Sequence, residues 1–232
     1  MRRPYHIDMD VLRQSKPETR GPRARTRRLM LDTATRLMQA GAIPSVSEVA
    51  EAAEVSRATA YRYFPSQAAL VQAVVDEALG PILSWRSRST DAERRLASLL
   101  DTGMPRIEKF EATFKAALKL SLEQWAQRHA GTLGEEPAFA RGHRKELLAD
   151  ALAPLEDRLE PQAFARLKQS LSLLFGVEAL VVLKDIWGLD GDETLAVAQW
   201  ASRALVRSAV VESTSGRGGQ AGKRAQSARR IG

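Results

Sequence analysis

The sequence contains no cysteine in its 232 residues, which excludes disulfide bonds, thiolate metal ligands and redox chemistry at sulfur. It also lacks any apolar run that approaches the roughly 18 residues needed to span a membrane. Its basic amino-terminal stretch has no uninterrupted apolar segment of the kind that a secretory signal contains. We therefore expect a cytoplasmic protein that has no membrane partner.

Residue patterns typical of enzymes are scarce as well. The three histidines, His6, His129 and His143, do not have the spacing of a metal-ligand motif, and no cysteine can join them. The stretch GRGGQAGKR superficially resembles a phosphate-binding loop, but Arg217 stands where the first glycine is required, and no strand precedes it. We therefore expect no catalytic residues, no metal and no cofactor.

Basic residues are concentrated at the two ends of the chain. Lys and Arg outnumber Asp and Glu by 35 to 28, which gives a formal charge of +7. Residues 1–28 carry nine basic and three acidic side chains, and residues 213–232 carry five basic and no acidic ones. Residues 29–212 have a net charge of −4. Basic ends on a mildly acidic body favour a polyanionic partner, although basic tails can also merely aid solubility.

Apolar residues between these ends have helical spacing, and no segment shows sustained strand alternation. The hydrophobic fraction of 44% is enough for one large or two small domains with a real core. A further short helix is predicted after Ser56, and the others are predicted near residues 23–40, 46–53, 67–80, 91–103, 107–130, 141–159, 162–187 and 191–212. The sequence therefore predicts an all-α protein of about nine helices.

Residues 45–64, SVSEVAEAAEVSRATAYRYF, contain two short predicted helices separated by about three residues. Ser45 and Glu48 fit a capping box that starts the first helix, and Ser56 caps the second. Small alanines on the inner face of the first helix, such as Ala50, allow another helix to cross it closely. This is the layout of a helix-turn-helix.

The second of these helices has one apolar side and one polar side. At about 100° per residue, Ala60 and Phe64 fall on the same face, which is predicted to be buried. The polar and small residues predicted to lie outside are Arg57, Ala58, Thr59, Tyr61, Arg62 and Tyr63. Arg can bind guanine O6 and N7, and hydroxyl groups can bind phosphate or base edges. Each residue taken singly is more often an ordinary solvated one, but together they predict a DNA-reading surface.

The pattern AxxAxVSxxTxYxYFxSxxxL, from Ala50 to Leu70, resembles the signature of TetR-type bacterial transcription regulators. The resemblance covers about 50 residues, and the rest of the chain matches only in length and helix count. It implies a homodimer whose two recognition helices enter successive major grooves of a palindromic operator in double-stranded DNA. The polar composition of the two ends predicts a flexible basic arm (1–22) and a disordered basic tail (213–232). Between them the resemblance implies a helix-turn-helix domain (23–66) and a helical effector-binding and dimerisation domain (67–212).

The resemblance also implies roles for individual residues in DNA binding. Arg23, Arg25 and Arg27 would follow the backbone or enter the minor groove. Ser45 and Ser47 would approach phosphates, and Tyr61 would bind phosphate. The residues that would face bases are Arg57, Ala58, Thr59 and Tyr63. The full set of predicted DNA contacts is Arg23, Arg25, Arg27, Ser45, Ser47, Arg57, Ala58, Thr59, Tyr61, Arg62, Tyr63 and Gln67.

Two positions depart from the family pattern. The family usually has glycine where Glu54 stands. A left-handed backbone there would cost a non-glycine residue about 1–2 kcal/mol, and the alternative is that the turn differs slightly in this chain. The family usually has lysine where Gln67 stands, and glutamine gives up a charge-assisted hydrogen bond to phosphate. Neither departure changes the predicted function.

The two last predicted helices are apolar on more than one side, whereas a monomer needs only one apolar stripe. We expect them to pair with their copies as a four-helix bundle in a homodimer, and the alternative is that they are central helices of a monomeric bundle. The residues predicted at the interface are Leu174, Leu180, Leu183, Leu195, Trp200 and Leu205. By the resemblance, the helices between about 91 and 187 would enclose a pocket for an unknown, apolar or aromatic effector. The residues predicted to line it are Met104, Phe110, Phe114, Trp125 and Trp187.

The leading hypothesis is a sequence-specific transcriptional repressor that a small molecule releases from DNA. Such a protein would be nucleoid-associated through its DNA binding. A first alternative is a TetR-like structural DNA-binding factor of the nucleoid-occlusion type, which would recruit a protein partner. Many dispersed binding sites unrelated to promoters would support that alternative. A second alternative is an all-α enzyme, which would require a constellation of acid, base or metal ligands that the sequence does not contain.

Overall fold

The computed structural model describes residues 21–135, 137–139 and 142–228, with side chains described to residue 214. Within these ranges the protein has ten α-helices and no strand, which confirms the predicted all-α class. The helices are α1 (Pro22–Gln39), α2 (Val46–Ala52), α3 (Arg57–Tyr63), α4 (Gln67–Leu79), α5 (Ala92–Lys109), α6 (Glu111–His129), α7 (His143–Leu152), α8 (Pro161–Leu171), α9 (Val177–Leu180) and α10 (Gly191–Ala228). Short 3-10 turns follow α4 and α7, and a π-helical turn, Val181–Ile186, extends α9. Residues 1–20 of the predicted arm and 229–232 of the predicted tail lie outside the described residues.

Helix α2 begins at the predicted capping box. The Ser45 hydroxyl accepts a hydrogen bond from the Glu48 backbone N–H (3.2 Å), and the Glu48 carboxylate accepts one from the Ser45 N–H (2.7 Å). These two bonds satisfy free donors of the first helical turn. The hydrogen bonds that the Ser45 backbone N–H and then the Ser45 side chain make to the Glu48 carboxylate favour its ionised form and hold the pKa of Glu48 below its ordinary value.

The turn after α2 has left-handed backbone at Glu54, whose φ is 53°. The Val55 N–H donates to the Ala50 carbonyl (2.8 Å), and the Glu54 N–H donates to the Glu51 carbonyl (3.1 Å). This pair of bonds is a Schellman motif, which requires a left-handed residue directly after the C-cap. Glu54 therefore occupies a position that glycine would fill without strain.

Helix α3 is held by its inner face. Ser56 caps it, as predicted, by accepting a hydrogen bond from the Thr59 N–H (3.3 Å). Ala60 is 0% exposed and Phe64 is 2% exposed, so both belong to the core that α1 and α2 contribute to. A helix of seven residues has little intrinsic stability, and burial of this face therefore fixes its orientation.

Helix α4 connects the helix-turn-helix to the rest of the molecule. It begins at the Ser66 cap and ends at Gly80, whose φ is 44°. It packs against α1 on one side and against α5 and α6 on the other. Arg106 of α5 donates to the Ala78 (2.5 Å) and Glu77 (3.2 Å) carbonyls, which satisfies acceptors at the carboxyl end of α4. The first three helices and the helical bundle therefore share one continuous core.

The bundle is built around α5, which packs against α7 and α10, and α8 closes it against α10. Arg95 of α5 donates to the carbonyls of Asp150 and Ala151 at the end of α7 and to those of Ser87 and Ser89 in the preceding loop. One guanidinium thus ties three segments together. None of the helices in the described part of the chain is long and apolar enough to cross a membrane.

Three predicted boundaries differ from the structure. Helix α5 continues past the predicted end at Gly103 because Met104 and Ile107 are buried and keep its apolar face in the core. Gly103 instead admits the Phe175 ring, since a Cβ there would lie 2.5 Å from it. The helix predicted over residues 162–187 is interrupted at Gly176, where φ is 137°.

The third difference concerns the end of the chain. The last helix is predicted near residues 191–212, whereas α10 spans Gly191–Ala228. Each added residue in a helix that is already nucleated gains one backbone hydrogen bond. A helix whose first part packs against α5 and α8 can therefore extend into a polar segment.

We expect Glu54→Gly to raise the free energy of unfolding by about 0.5–1 kcal/mol. Glycine removes left-handed strain of about 1–2 kcal/mol but adds backbone freedom to the unfolded chain worth about 0.5–1 kcal/mol. Urea denaturation followed by circular dichroism measures the change. Glu51→Gly, an exposed position within α2, is the matched control and should lower stability by roughly 0.5–1 kcal/mol. Equal destabilisation by both variants would contradict strain at Glu54.

Candidate nucleic-acid interface and ligand cavity

The outer face of α3 is open to solvent. Arg57, Ala58 and Arg62 are exposed, Tyr61 is 46% exposed, and Thr59 is partly exposed. Ala60, on the opposite side, is fully buried, so the helix cannot rotate without taking its apolar face into water. The side chains predicted to read DNA are therefore presented on a fixed support.

Helices α2 and α3 bring two hydroxyl groups together at the edge of this face. The Ser47 Oγ lies 3.3 Å from the Tyr61 Oη, and either atom can be the donor. Whichever hydroxyl accepts keeps its own hydrogen for a third group. Such a pair suits a phosphate oxygen, which accepts several hydrogen bonds. The Ser45 hydroxyl accepts from the Glu48 N–H and is also a hydrogen-bond partner of the Glu48 carboxylate, so it is engaged in the cap of α2.

Thr59 is oriented by the cap of its own helix. The Ser56 hydroxyl donates to the Thr59 Oγ1 (2.9 Å) while it accepts from the Thr59 N–H. The Thr59 hydroxyl hydrogen is then left to donate outward, and its rotamer is set. A contact that is oriented before binding loses less conformational entropy on binding.

Other predicted DNA contacts are partly engaged within the protein. The Gln67 side-chain amide donates to the Ile43 carbonyl (3.1 Å), and its contact with phosphate stays a prediction. Tyr63 is half-buried against the core, because the carboxyl end of α3 turns inward at Phe64. The Arg27 guanidinium lies 5.5 Å above the Phe64 ring and is partly buried. Arg23 and Arg25, on the first turn of α1, are exposed.

A cavity of about 90 Å³ lies in the bundle, between α4, α5, α6, α7 and α9. Its wall is mainly apolar, with Phe114 and Phe175 among its aromatic residues, and its polar lining groups are Gln72, His143 and Arg144. Of the five residues predicted to line a pocket, Phe114 lines this cavity.

The other four predicted pocket residues lie elsewhere, which corrects that prediction. Met104 is buried in the core, and Phe110 packs under the Arg106 guanidinium, 5.1 Å from it. Trp125 is 61% exposed and stacks on His129, and Trp187 is 73% exposed. Aromatic residues were assigned to the pocket because they are large and apolar, but helix phase decides which side they face.

Two polar contacts border the cavity. The His143 Nε2 of α7 lies 2.8 Å from the Asp76 Oδ1 of α4, and the Gln72 amide donates to the same oxygen (2.7 Å). The hydrogen bond with Asp76 raises the pKa of His143 above its ordinary value, against the opposing effect of burial. This contact, which we call the α4–α7 latch (Gln72, Asp76 and His143), joins the cavity wall to the helix that carries the helix-turn-helix.

Arg144, next along α7, is fixed by two acceptors. It donates to the Ser172 carbonyl (2.9 Å) and pairs with the Glu178 carboxylate. A Cβ at Gly176 would lie 2.6 Å from the guanidinium, so glycine is needed both for its φ and for this approach. The sequence pattern does not reveal Gln72, His143 and Arg144 as a set, because they come from distant segments; two basic residues directly after Gly142 are the one available signal.

The predicted interface residues are divided between core and surface. Leu180 is buried, which corrects its assignment, and Leu174, Leu195 and Leu205 are partly buried against the core. Leu183 is partly exposed. The large apolar side chains that do face solvent from the π turn, the residue after it and α10 are Val182, Ile186, Trp187, Val197, Trp200 and Val211, here called the exposed apolar set. The π turn shifts the helical phase after residue 180, so the residues facing outward differ from those that a regular helix would present.

Residues 30–74 match the family model described as bacterial regulatory proteins, tetR family. The fold is similar to the crystal structure of a TetR transcriptional regulator from Rhodococcus sp. RHA1, with a TM-score of 0.50 and 17% sequence identity. That similarity covers 80% of this chain and 97% of the other. No curated protein sequence matches this chain.

We expect Asp76→Asn to lower the pH midpoint of the His143 titration. NMR of the imidazole protons as a function of pH measures this midpoint. Because Asp76 raises the folded-state pKa of His143, the latch contributes stability that is fully present below the unfolded pKa of about 6.5. This contribution is lost as pH rises through the higher folded-state pKa. The stability difference between the native protein and Asp76→Asn should therefore shrink from mildly acidic to alkaline pH. An unchanged His143 midpoint in Asp76→Asn would show that the ion pair does not form.

Proposed function

Because residues 30–74 place this chain in the TetR family of DNA-binding transcriptional regulators, we propose that it is a homodimeric repressor, released from a palindromic operator by a small molecule. The observation that carries this proposal is the polar outer face of α3, held outward by the buried Ala60 and Phe64. As a member of this family the protein is a regulator and not an enzyme.

The proposed DNA contacts divide by chemistry. Arg57, in the first turn of α3, and the oriented Thr59 hydroxyl are the groups that read base edges. The paired hydroxyls of Ser47 and Tyr61, together with Ser45, bind phosphate and fix the register. Ala58 has no long side chain, so that the helix backbone can approach the floor of the groove.

Dimerisation is supported by the exposed apolar set. Trp187 and Trp200 are 73% and 68% exposed, and burial of one large apolar side chain stabilises an assembly by about 1.5–3 kcal/mol. A second copy of the chain supplies the same set across a two-fold axis. The two copies of α3 would then meet the two halves of a palindrome.

Effector release is supported by the position of α4. This helix lines the cavity through Gln72, Val75 and Leu79, and it packs against α1 of the helix-turn-helix. A molecule in the cavity that favours another placement of α4 would change the separation of the two α3 helices in the dimer. DNA affinity would fall by the difference in binding energy between the two placements.

Selection of bound duplexes from a random pool, followed by sequencing, tests the proposal. The expected result is one motif with two-fold symmetry and half-sites centred about 10 base pairs, or a multiple of this, apart. Recovery of duplexes without a shared motif would overturn the repressor proposal. Binding at many dispersed genomic sites unrelated to promoters would instead support the structural DNA-binding factor.

We expect Arg57→Ala to reduce discrimination between the selected motif and a mutated one by about 1–3 kcal/mol per half-site. The loss arises because the guanidinium is exposed in the first turn of α3 and has the donor geometry for guanine. Fluorescence anisotropy with both duplexes measures it. Arg88→Ala removes an exposed arginine from the loop before α5 and should leave discrimination unchanged. Unchanged specificity in Arg57→Ala would remove this residue from the base-reading set.

We expect Trp200→Asp to convert the dimer to a monomer, because it places a charge within an apolar contact. Sedimentation velocity measures the assembly state, and circular dichroism reports whether the monomer remains folded. Leu122→Asp is the matched control: Leu122 is also exposed but lies on α6, and the variant should remain dimeric. A stable Trp200→Asp dimer would place the interface elsewhere.

A further inference from the structure

We propose that the effector is a small carboxylic acid with an apolar body, whose carboxylate binds His143 and Arg144 and displaces Asp76 from the α4–α7 latch. This inference rests on the proposed function, because it names the ligand class and the switching contact of the same cavity. The supporting observation is that the cationic member of each ion pair at the cavity lines its wall, whereas the anionic member does not.

The charged groups that line the cavity are basic. His143 and Arg144 contribute to the wall, whereas their partners Asp76 and Glu178 do not. A molecule in the cavity therefore meets the cationic partner of each pair first. An anion can form charge-assisted hydrogen bonds with both cations, and a carboxylate matches the planar guanidinium.

The volume of the cavity and its apolar lining residues restrict the part of the ligand beyond the carboxylate. Because one water needs about 10–15 Å³ of such space, the cavity of about 90 Å³ accommodates on the order of six to nine water-sized groups. Most of the other lining side chains are apolar, and they include Val75, Ile107 and Phe114. A short aliphatic or single-ring acid, such as hexanoate or benzoate, fits this space and this chemistry.

An anion also supplies the discrimination that a switch requires. A ligand shifts a conformational equilibrium only if it binds the two states with different affinity. With the latch closed, Asp76 already occupies His143 and repels a second carboxylate. When α4 moves away, His143 becomes available and the repulsion falls, so that the acid binds the open state more tightly. A neutral apolar molecule would gain much less from this change.

The other charges around His143 do not reverse this preference. Glu146, on the same helix, is an exposed carboxylate. The negative charges of Asp76 and Glu146 both raise the pKa of His143. Arg144 keeps its bond to the Ser172 carbonyl, and Glu178 balances part of its charge. The acid therefore competes for His143 chiefly with Asp76 and shares Arg144 with Glu178.

Calorimetric titration of the full chain tests the ligand class at mildly acidic pH, where His143 is protonated. The probes are benzoate and hexanoate, their neutral amides, and benzylamine and hexylamine. The acids are expected to bind at least about tenfold more tightly than the amides, since the loss of a charge-assisted hydrogen bond typically exceeds that factor. Equal affinity for acids and amides, tighter binding of the amines, or no binding by any probe would each overturn the proposal.

Two variants locate the charge that matters. His143→Gln keeps a hydrogen bond donor near Asp76 but removes the positive charge, and it should weaken benzoate binding about tenfold while leaving benzamide binding unchanged. Lys145→Gln removes an adjacent exposed cation that does not line the cavity, and benzoate affinity should change less than about twofold. An equal loss in both variants would show a general charge effect and would overturn the assigned site.

The effect on DNA is measured separately, with a duplex selected as described above. Benzoate is expected to weaken binding of that duplex by the native protein, and to do so about tenfold less effectively with His143→Gln. Benzoate binding without any change in DNA affinity would overturn the switching role of the latch. If no sequence-specific duplex is selected, the proposed function fails, but calorimetry still decides the ligand class.

Discussion

Helix α4 takes part in two packing arrangements at once, and the rest of the molecule depends on this constraint. One of its sides is buried against α1, which supports the helix-turn-helix, and another lines the cavity in the bundle. Arg106 binds the carbonyls at its carboxyl end, so that this end is attached to α5. In the function proposed above, a displacement of α4 beside the cavity would change the placement of α1 to α3.

The features that could be predicted from the sequence depend on local rules. The capping box at Ser45 and the cap at Ser56 require residues within one helical turn of each other, and both are present. The buried pair Ala60 and Phe64 follows from helix periodicity alone. The family pattern usually has glycine at the position of Glu54, which left open a left-handed residue or a different turn, and the φ of 53° shows that the residue is left-handed.

The features that could not be predicted depend on contacts between distant segments. The break occurs at Gly176, whose φ is 137°, and the guanidinium of Arg144, 32 positions earlier, lies against it. The π turn after it changes which apolar residues face solvent. The same change explains why Leu180 is buried whereas Trp187 is exposed. The cavity lining combines α4 with α7 and α9, and no periodicity within one helix indicates such a combination.

Because α3 is only two turns long, its DNA-binding side chains cannot be transferred to another protein as an isolated helix. Isolated helices shorter than about 12–15 residues are marginal in water, so a synthetic peptide copied from this segment would lack the shape that the intact domain imposes. In the intact domain, the burial of Ala60 and Phe64 in the core holds α3 in its helical conformation. New sequence preferences are therefore best engineered by exchanging the outward-facing side chains of α3 within the complete domain. A helix grafted onto another protein would lose the apolar core that packs against Ala60 and Phe64.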